Sequence, residues 1–188
     1  MEPDPQISCT SSTYRPAKVR LSDYDPTWPL RYAAEETLLR EALGSRMLAV
    51  EHIGSTSLQG MPSKPTIDIL VGLSDYERFH DVVHALKSVA YLYTPEAEAD
   101  DPGRRVFRKG PDEMSRPRTF HLHVTRLDGH YWRRMLAFRD HLRRHPDDAA
   151  AYVALKRRLA LEHSDEPRRY TAAKHEFVKA VERRAGVR

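Results

Sequence analysis

In one stretch of this chain, residues 51–71, a glycine-hydroxyl turn follows one apolar segment and precedes another. The first apolar segment covers residues 47–50, and the second carries a single acid, Asp68, between two isoleucines. This order predicts a strand, a tight turn, a loop and a second strand. Because an unpaired charge within a sheet is costly, Asp68 is expected to lie beside a metal ion or a hydrogen-bond donor.

The turn itself has residue types that can bind phosphate. Gly54 allows a positive φ or a close approach of the backbone. Ser55, Thr56 and Ser57 supply three hydroxyls and several backbone N–H groups, a suitable cradle for a phosphate. The same residue types are also common in turns that bind nothing. The residues alone therefore leave both interpretations open.

The composition is that of a globular protein with one domain. The 188 residues are 40% hydrophobic and 31% charged, and no apolar run approaches the length that crosses a bilayer. The single cysteine, Cys9, cannot form an intramolecular disulfide, and a cytoplasmic location with no membrane partner is expected. Residues 1–17 are rich in Pro, Ser and Thr and are expected to form a flexible tail. Residues 18–188 are expected to form a single domain.

The hydrophobic pattern predicts an α+β fold, a mixed β-sheet covered by helices, with a helical C-terminal third. In the first helix, Leu30, Leu38 and Leu39 are expected on the inner stripe, with Trp28 as a core anchor. A single last helix is expected to begin at Tyr170. Helices are predicted at 29–43, 75–88, 129–144, 147–163 and 170–185, and further strands at 19–21, 89–93, 104–108 and 120–125.

Two histidines, His121 and His123, share one face of the strand predicted at 120–125. With Asp68 on a neighbouring strand they could form a metal site of two imidazoles and one carboxylate, better suited to Mn²⁺, Fe²⁺ or Zn²⁺ than to Mg²⁺. They could instead donate hydrogen bonds to a phosphate or act as a general base. A histidine pair with no function on a sheet face is the remaining interpretation.

The net charge of +4 is modest, and many arginines occur as adjacent pairs in the C-terminal third. Such pairs are usual on solvated helix faces. They could also form a basic wall that attracts a nucleotide or another phosphate-bearing small molecule. A nucleic-acid partner is not expected, because no interleaving of aromatic and basic residues marks a binding groove.

Several segments together resemble the GrpB family, whose members have the nucleotidyltransferase fold. Ile53-Gly54-Ser55 followed by Asp68 matches the pattern of the superfamily, and the string HIGSTS with KPTIDI is more specific to GrpB proteins. The resemblance extends from about Val19 to about Val181. Its supporting segments are residues 24–29, 120–124, 138–142, 145–146 and 170–174.

The resemblance implies binding of a nucleoside triphosphate and transfer of a nucleotidyl group to a small acceptor, assisted by a divalent metal, Mg²⁺ or Mn²⁺ first and Zn²⁺ second. It gives Asp68 the metal-binding and catalytic role. A third acid usually comes from a later strand, where this chain has His121 and His123 instead, so their catalytic and metal-binding roles rest on the strand spacing given above. Leu70 stands where active members usually carry a second acid. The candidate phosphate- or nucleotide-binding residues are His52, Gly54, Ser55, Thr56, Ser57, Lys64, Arg139, Tyr170 and Lys174.

Three of these candidates lie in the C-terminal third. Arg139 could reach a phosphate, with Asp140 orienting it. Tyr170 and Lys174 are spaced to share a helix face, where Tyr170 could stack on a base and Lys174 could pair with a phosphate or with Asp68. A cluster of packing contacts and salt bridges that docks the terminal helices is the alternative.

Three functions remain open. The first is a nucleotidyltransferase that uses Asp68 to hold a metal. The second is a binding module that keeps the phosphate pocket without catalysis. The third is a metal-dependent hydrolase that uses Asp68, His121 and His123. Leu70 favours the second and third, whereas the polar turn favours the first and third.

Overall fold

A five-stranded mixed sheet is the centre of the fold. The computed structural model describes residues 18–74, 79–98, 101, 103–110 and 119–187. The strand order is β1-β2-β5-β4-β3, and only the β2–β5 pair is parallel among these neighbours. The strands are β1 (Met47–Ile53), β2 (Ile67–Leu73), β3 (Leu92–Tyr93), β4 (Arg104–Lys109) and β5 (Phe120–Arg126).

Helices cover both faces of this sheet, which confirms the predicted α+β class. The first two helices pack on one face, and α3 packs on the other against Ile53 and Leu70. The last helices pack against α3 and against the loop between β1 and β2. The helices are α1 (Trp28–Leu43), α2 (Phe79–Ser88), α3 (His130–Arg144), α4 (Pro146–Glu162), α5 (Pro167–Ala173) and α6 (His175–Arg184).

Side chains alternate between the two faces of the sheet. Ile67 and Ile69 of β2 lie with Phe120 and Leu122 of β5 in the core beneath α1 and α2. The intervening residues of both strands point to the face covered by α3. The predicted alternation in β5 is confirmed, and it places His121 and His123 on the same face as Asp68.

The inner stripe of α1 differs from the predicted one. Trp28 and Leu39 are fully buried as expected, but Leu30 is 72% and Leu38 40% exposed. Glu35 takes an inner position instead, where its Oε1 lies 2.8 Å from Lys109 Nζ of β4. This ion pair lets α1 bury an acid, which the apolar pattern could not indicate.

Three other predicted elements also differ. The strand expected at 19–21 is absent because the Val19 N–H bonds the Ser164 carbonyl, and Ser22 forms an isolated bridge with Ser63. The strand expected at 89–93 shortens to β3, because a turn with a positive φ at Ala90 precedes it. The single last helix is two helices, α5 and α6, which meet at Lys174.

Some predictions fall on residues that the structure does not describe. They are the tail at 1–17 and the first turn of the helix expected at 75–88. Among the described helices, none combines the length and the apolar character needed to cross a membrane.

Candidate functional site

Asp68 lies at the start of β2, beside two histidines of the neighbouring strand β5. The parallel register pairs Asp68 with His121, and His123 follows two residues later on the same face. His121 Nδ1 lies 3.4 Å and His123 Nε2 3.8 Å from Asp68 Oδ1. Burial would raise the pKa of Asp68, but the two imidazoles outweigh it and hold that pKa well below its usual range. Asp68 is therefore ionised.

His123 has two further partners on its other ring nitrogen. Its Nδ1 lies 3.1 Å from the Tyr131 hydroxyl and 3.2 Å from Arg104 Nη1. Arg104 Nη1 also donates to the Tyr131 hydroxyl at 2.8 Å. Since Arg104 can only donate, His123 Nδ1 is assigned as an acceptor, which leaves the proton on Nε2 facing Asp68. Burial lowers the pKa of His123, so the ring is neutral.

These contacts bear on whether the three side chains fit a metal ion. A metal needs a lone pair on the ligating nitrogen, and Nε2 of His123 carries a proton in the assigned tautomer. In the described part of the chain, no group of three or more His, Cys, Asp or Glu side chains is arranged to hold a metal ion. The arrangement fits a carboxylate flanked by two imidazoles better than a metal centre.

The turn after β1 rests directly on Asp68. Gly54 has a φ of 69° and a ψ of −173°, a region that is almost exclusive to glycine. A β-carbon built on Gly54 would lie 2.4 Å from Asp68 Oδ2. Gly54 is therefore required both by the conformation of its backbone and by the carboxylate against it.

The three hydroxyls of this turn have different partners. Thr56 is 1% exposed, and its Oγ1 lies 3.0 Å from His52 Nε2. Ser57 Oγ donates to the Gly54 carbonyl at 2.7 Å. Ser55 is partly exposed, and its Oγ lies 3.1 Å from Lys156 Nζ. Of the three, Ser55 is the hydroxyl that combines access to solvent with an amine neighbour.

Lys64 and Lys174 approach the site together, over the ring of Tyr170. Lys174 Nζ lies 4.4 Å and Lys64 Nζ 5.6 Å from the centroid of the Tyr170 ring. Within the described residues, neither lysine forms an ion pair with a carboxylate. Burial, together with the positive charge of Lys64, lowers the pKa of Lys174 to about 8, while Asp68 opposes the shift. Burial also lowers the pKa of Lys64, again opposed by Asp68.

Tyr170 itself is 1% exposed, so its ring is not available to stack on a base. Its neighbours in the core are Val19 and Leu159. Tyr170 therefore packs against the two lysines. The sequence placed Tyr170 and Lys174 on one helix face, and they are in contact although α5 and α6 are separate helices.

Arg139 lies among acids rather than at an open phosphate site. Its Nη1 donates to Glu51 Oε2 at 2.6 Å and its Nε to Asp140 Oδ1 at 2.7 Å. Nη1 also donates to the main-chain carbonyl of His52 at 3.0 Å. Two carboxylates thus neutralise Arg139, and these contacts fix α3 against β1.

The side chain of His52 lies on the opposite face of the sheet from that of Asp68. Its ring stacks on Tyr32 with centroids 4.7 Å apart, and it bonds Thr56 from behind the turn. Burial lowers the pKa of His52 to about 4. The ring is therefore neutral and supports the turn without facing the ligand side.

Sequence reasoning missed three side chains of this site. Lys156 is a single lysine in a helix, indistinguishable by pattern from a solvated one. Arg104 and Tyr131 bond His123 from β4 and α3, and only the fold brings them together. The alternation of β4 was the one available signal. It places Arg104 on the same face of the sheet as His123 of β5.

Replacing Gly54 tests the contact with Asp68. Gly54→Ala is expected to lower the free energy of unfolding by about 3 kcal/mol, combining backbone strain of about 1–3 kcal/mol with overpacking of about 1–3 kcal/mol. Gly60→Ala is the matched control, because Gly60 also has a positive φ but open space around its α-carbon. Urea unfolding measures both, and equal losses would show that the carboxylate moves aside without cost.

Comparison with known proteins identifies the family. The family model described as GrpB protein matches residues 18–184 of the sequence. YqkA of Bacillus subtilis is 36% identical over 172 residues, 92% of this chain, and this chain spans about half of it, 48% of its length. Glutamate-rich protein GrpB of Alkalihalophilus pseudofirmus is 32% identical over 167 residues, 87% of this chain and 94% of that protein. The crystal structure of conserved protein GrpB from Enterococcus faecalis matches with a TM-score of 0.78 and 35% identity, over 88% of this chain and 96% of that one. The chain therefore belongs to the GrpB family.

Proposed function

We propose that this protein binds a nucleoside triphosphate through its phosphate groups, at the edge of the sheet beside the Gly54–Ser57 turn. The observation that carries the proposal is the convergence of Lys64 and Lys174 on Tyr170. The two lysines would bind the phosphate groups. A nucleotide is named as the ligand because the family resembles the nucleotidyltransferase fold.

The electrostatics of the two lysines support an anionic ligand. Burial first and the charge of Lys64 second lower the pKa of Lys174, so two partly buried ammonium groups at this place repel each other. Asp68 offsets this repulsion only in part, because two imidazoles already lie against its carboxylate. A bound phosphate would remove the repulsion, so its binding energy includes the relief of that cost.

Transfer to a hydroxyl acceptor is a second function, favoured by the contact between His121 and Asp68. When Nδ1 of His121 donates to Asp68, Nε2 carries the lone pair and can accept a proton. His121 is partly exposed, so an acceptor hydroxyl or a water can reach it. Asp68 would then orient His121 and stabilise its protonated form, which gives transfer or hydrolysis without the usual carboxylate pair.

A divalent metal, Mg²⁺ or Mn²⁺ with Zn²⁺ second, stays a prediction. Asp68 would supply its carboxylate ligand, and the metal-dependent hydrolase remains an alternative on that basis. The tautomer assigned to His123 argues against this residue as a ligand. Nucleotide binding measured with and without each metal distinguishes these alternatives.

Removing the charge of Lys174 tests the phosphate site. Lys174→Gln is expected to weaken binding of the preferred nucleoside triphosphate about tenfold or more, since a hydrogen bond to a charged group contributes about 1.5–3 kcal/mol. Lys179→Gln, an equal charge change on the exposed surface of α6, is the control and should bind as wild type. Thermal stabilisation by a nucleotide panel measures the effect, with about 2.7 kcal/mol expected at 100 times the dissociation constant. Equal binding by Lys174→Gln would remove this lysine from the site.

Binding is also expected to take up protons near pH 8. Lys174 has a pKa of about 8 in the free protein, and a phosphate beside it would raise that pKa. The protonated form binds better, so affinity should increase as the pH falls from about 9 to 7. Calorimetry at pH 8 in two buffers of different ionisation enthalpy measures the uptake. Lys174→Gln should lose much of it, and an unchanged uptake would assign the proton to another group.

The transfer function predicts different results for the two histidines. His121→Ala should lower the rate of pyrophosphate release at least 100-fold, the usual contribution of a general base, while leaving nucleotide binding unchanged. His123→Gln is the comparison variant, because an amide can still donate to Asp68. Binding without any measurable turnover in the wild type would favour the binding module.

A further inference from the structure

Ser55 and Lys156 form a pair that the phosphate site does not need. Lys156 reaches from α4 across 101 residues of sequence to place Nζ 3.1 Å from Ser55 Oγ. We propose that Ser55 is a nucleophile and Lys156 its general base, a covalent site for phosphoric esters or anhydrides. Its substrate class rests on the proposed function, because a phosphate bound at the turn would present the phosphorus to Ser55.

The surroundings of Lys156 suit a neutral amine. Its side chain is 2% exposed, its Nζ lies 2.6 Å from the Pro62 carbonyl, and no carboxylate among the described residues pairs with it. A neutral amine can donate one N–H to Pro62 and accept the Ser55 hydroxyl proton with its lone pair. Burial, reinforced by the charges of Lys174 and Arg157, lowers the pKa of Lys156 to about 7, which suits a base at physiological pH.

Tyr152 completes the surroundings of this pair. The ring of Tyr152 lies against Lys156, with Nζ 4.9 Å from its centroid. Burial raises the pKa of Tyr152 well above its usual range, and an interaction with Ser55 opposes the shift only in part. Tyr152 is therefore a neutral neighbour of the pair, with no negative charge to compete for the serine proton.

The other hydroxyls of the turn cannot take this role. Thr56 is buried against His52, and Ser57 already donates its proton to the Gly54 carbonyl. Ser55 alone among them is both reachable and next to an amine. A serine hydroxyl with a buried lysine as its base is an established variant of nucleophilic catalysis on other folds.

The chemical step needs only groups that the site and the substrate supply. Ser55 Oγ forms a bond to phosphorus, and the serine proton moves to Lys156 Nζ. The bond from phosphorus to the leaving group breaks, and that group departs to solvent with the bonding electron pair, taking a proton from water where it is an alkoxide. Attack of water or of an acceptor hydroxyl on the phosphoserine then breaks the Oγ–phosphorus bond. The lysine ammonium returns its proton to Ser55, while the attacking hydroxyl releases one to solvent or to His121.

A fluorophosphonate probe tests the pair directly, because it labels a nucleophilic serine with loss of fluoride and needs no nucleotide. Intact mass and peptide mapping are expected to place one label on Ser55. Ser55→Ala should remove the label, while the control Ser88→Ala, at the exposed end of α2, should keep it. Labelling of other residues with Ser55 unmodified would overturn the proposal.

Lys156→Arg separates a base from a structural cation. Arginine can still donate to Pro62 and Ser55 but is always protonated, so labelling should slow at least 100-fold. Labelling at the wild-type rate would show that Lys156 only holds the turn and would overturn the proposal.

If Lys156→Arg does not fold, the pH dependence of labelling in the wild-type protein tests the base role of Lys156 instead. The wild-type labelling rate should rise with pH through about 7, following Lys156 among its neighbours Tyr152, Tyr170, Lys174 and Arg157. A rate independent of pH between 6 and 8.5 would also overturn the base role. Nucleotide stabilisation of the same sample reports separately on the phosphate site, so the two proposals can fail independently.

Discussion

The contact between Gly54 and Asp68 determines where everything else in the site can lie. The antiparallel register of β1 and β2 sets Ile53 opposite Asp68, so the chain must turn directly over the carboxylate. Only a residue without a β-carbon fits there. The contact places the turn against the acid, and the neighbouring parallel strand β5 adds the two histidines.

The C-terminal helices add two of the three lysines that lie at the site. Lys156 comes from α4 and Lys174 from the junction of α5 with α6, while Lys64 comes from the loop before β2. Each is held by contacts with its aromatic neighbours, Tyr152 or Tyr170. The helical third of the chain therefore supplies the cationic half of the site, although its sequence indicates only amphipathic helices.

The sequence predicts some parts of this site and not others, for physical reasons. Strict alternation in β5 predicts that His121 and His123 share a face, and the glycine turn predicts the close approach to Asp68. The resemblance to GrpB proteins supplies the fold. Periodicity cannot reveal a buried charge, because Glu35 and Lys156 read as polar positions whether solvent or a partner surrounds them. It also could not show that Glu51 and Asp140 neutralise Arg139, or that Tyr170 is buried.

The balance of charge indicates which kind of ligand the site favours first. Asp68 is a single carboxylate that two imidazoles already engage. Lys64 and Lys174 face it without acid partners of their own in the described chain. A cation approaching Asp68 alone would meet these positive charges, whereas an anion would be attracted by them and would be repelled only by a carboxylate that two imidazoles already flank. This balance of charge supports the proposed phosphate ligand over a cation as the first to bind, and in that proposal Asp68 and His121 act on the phosphate once it is bound.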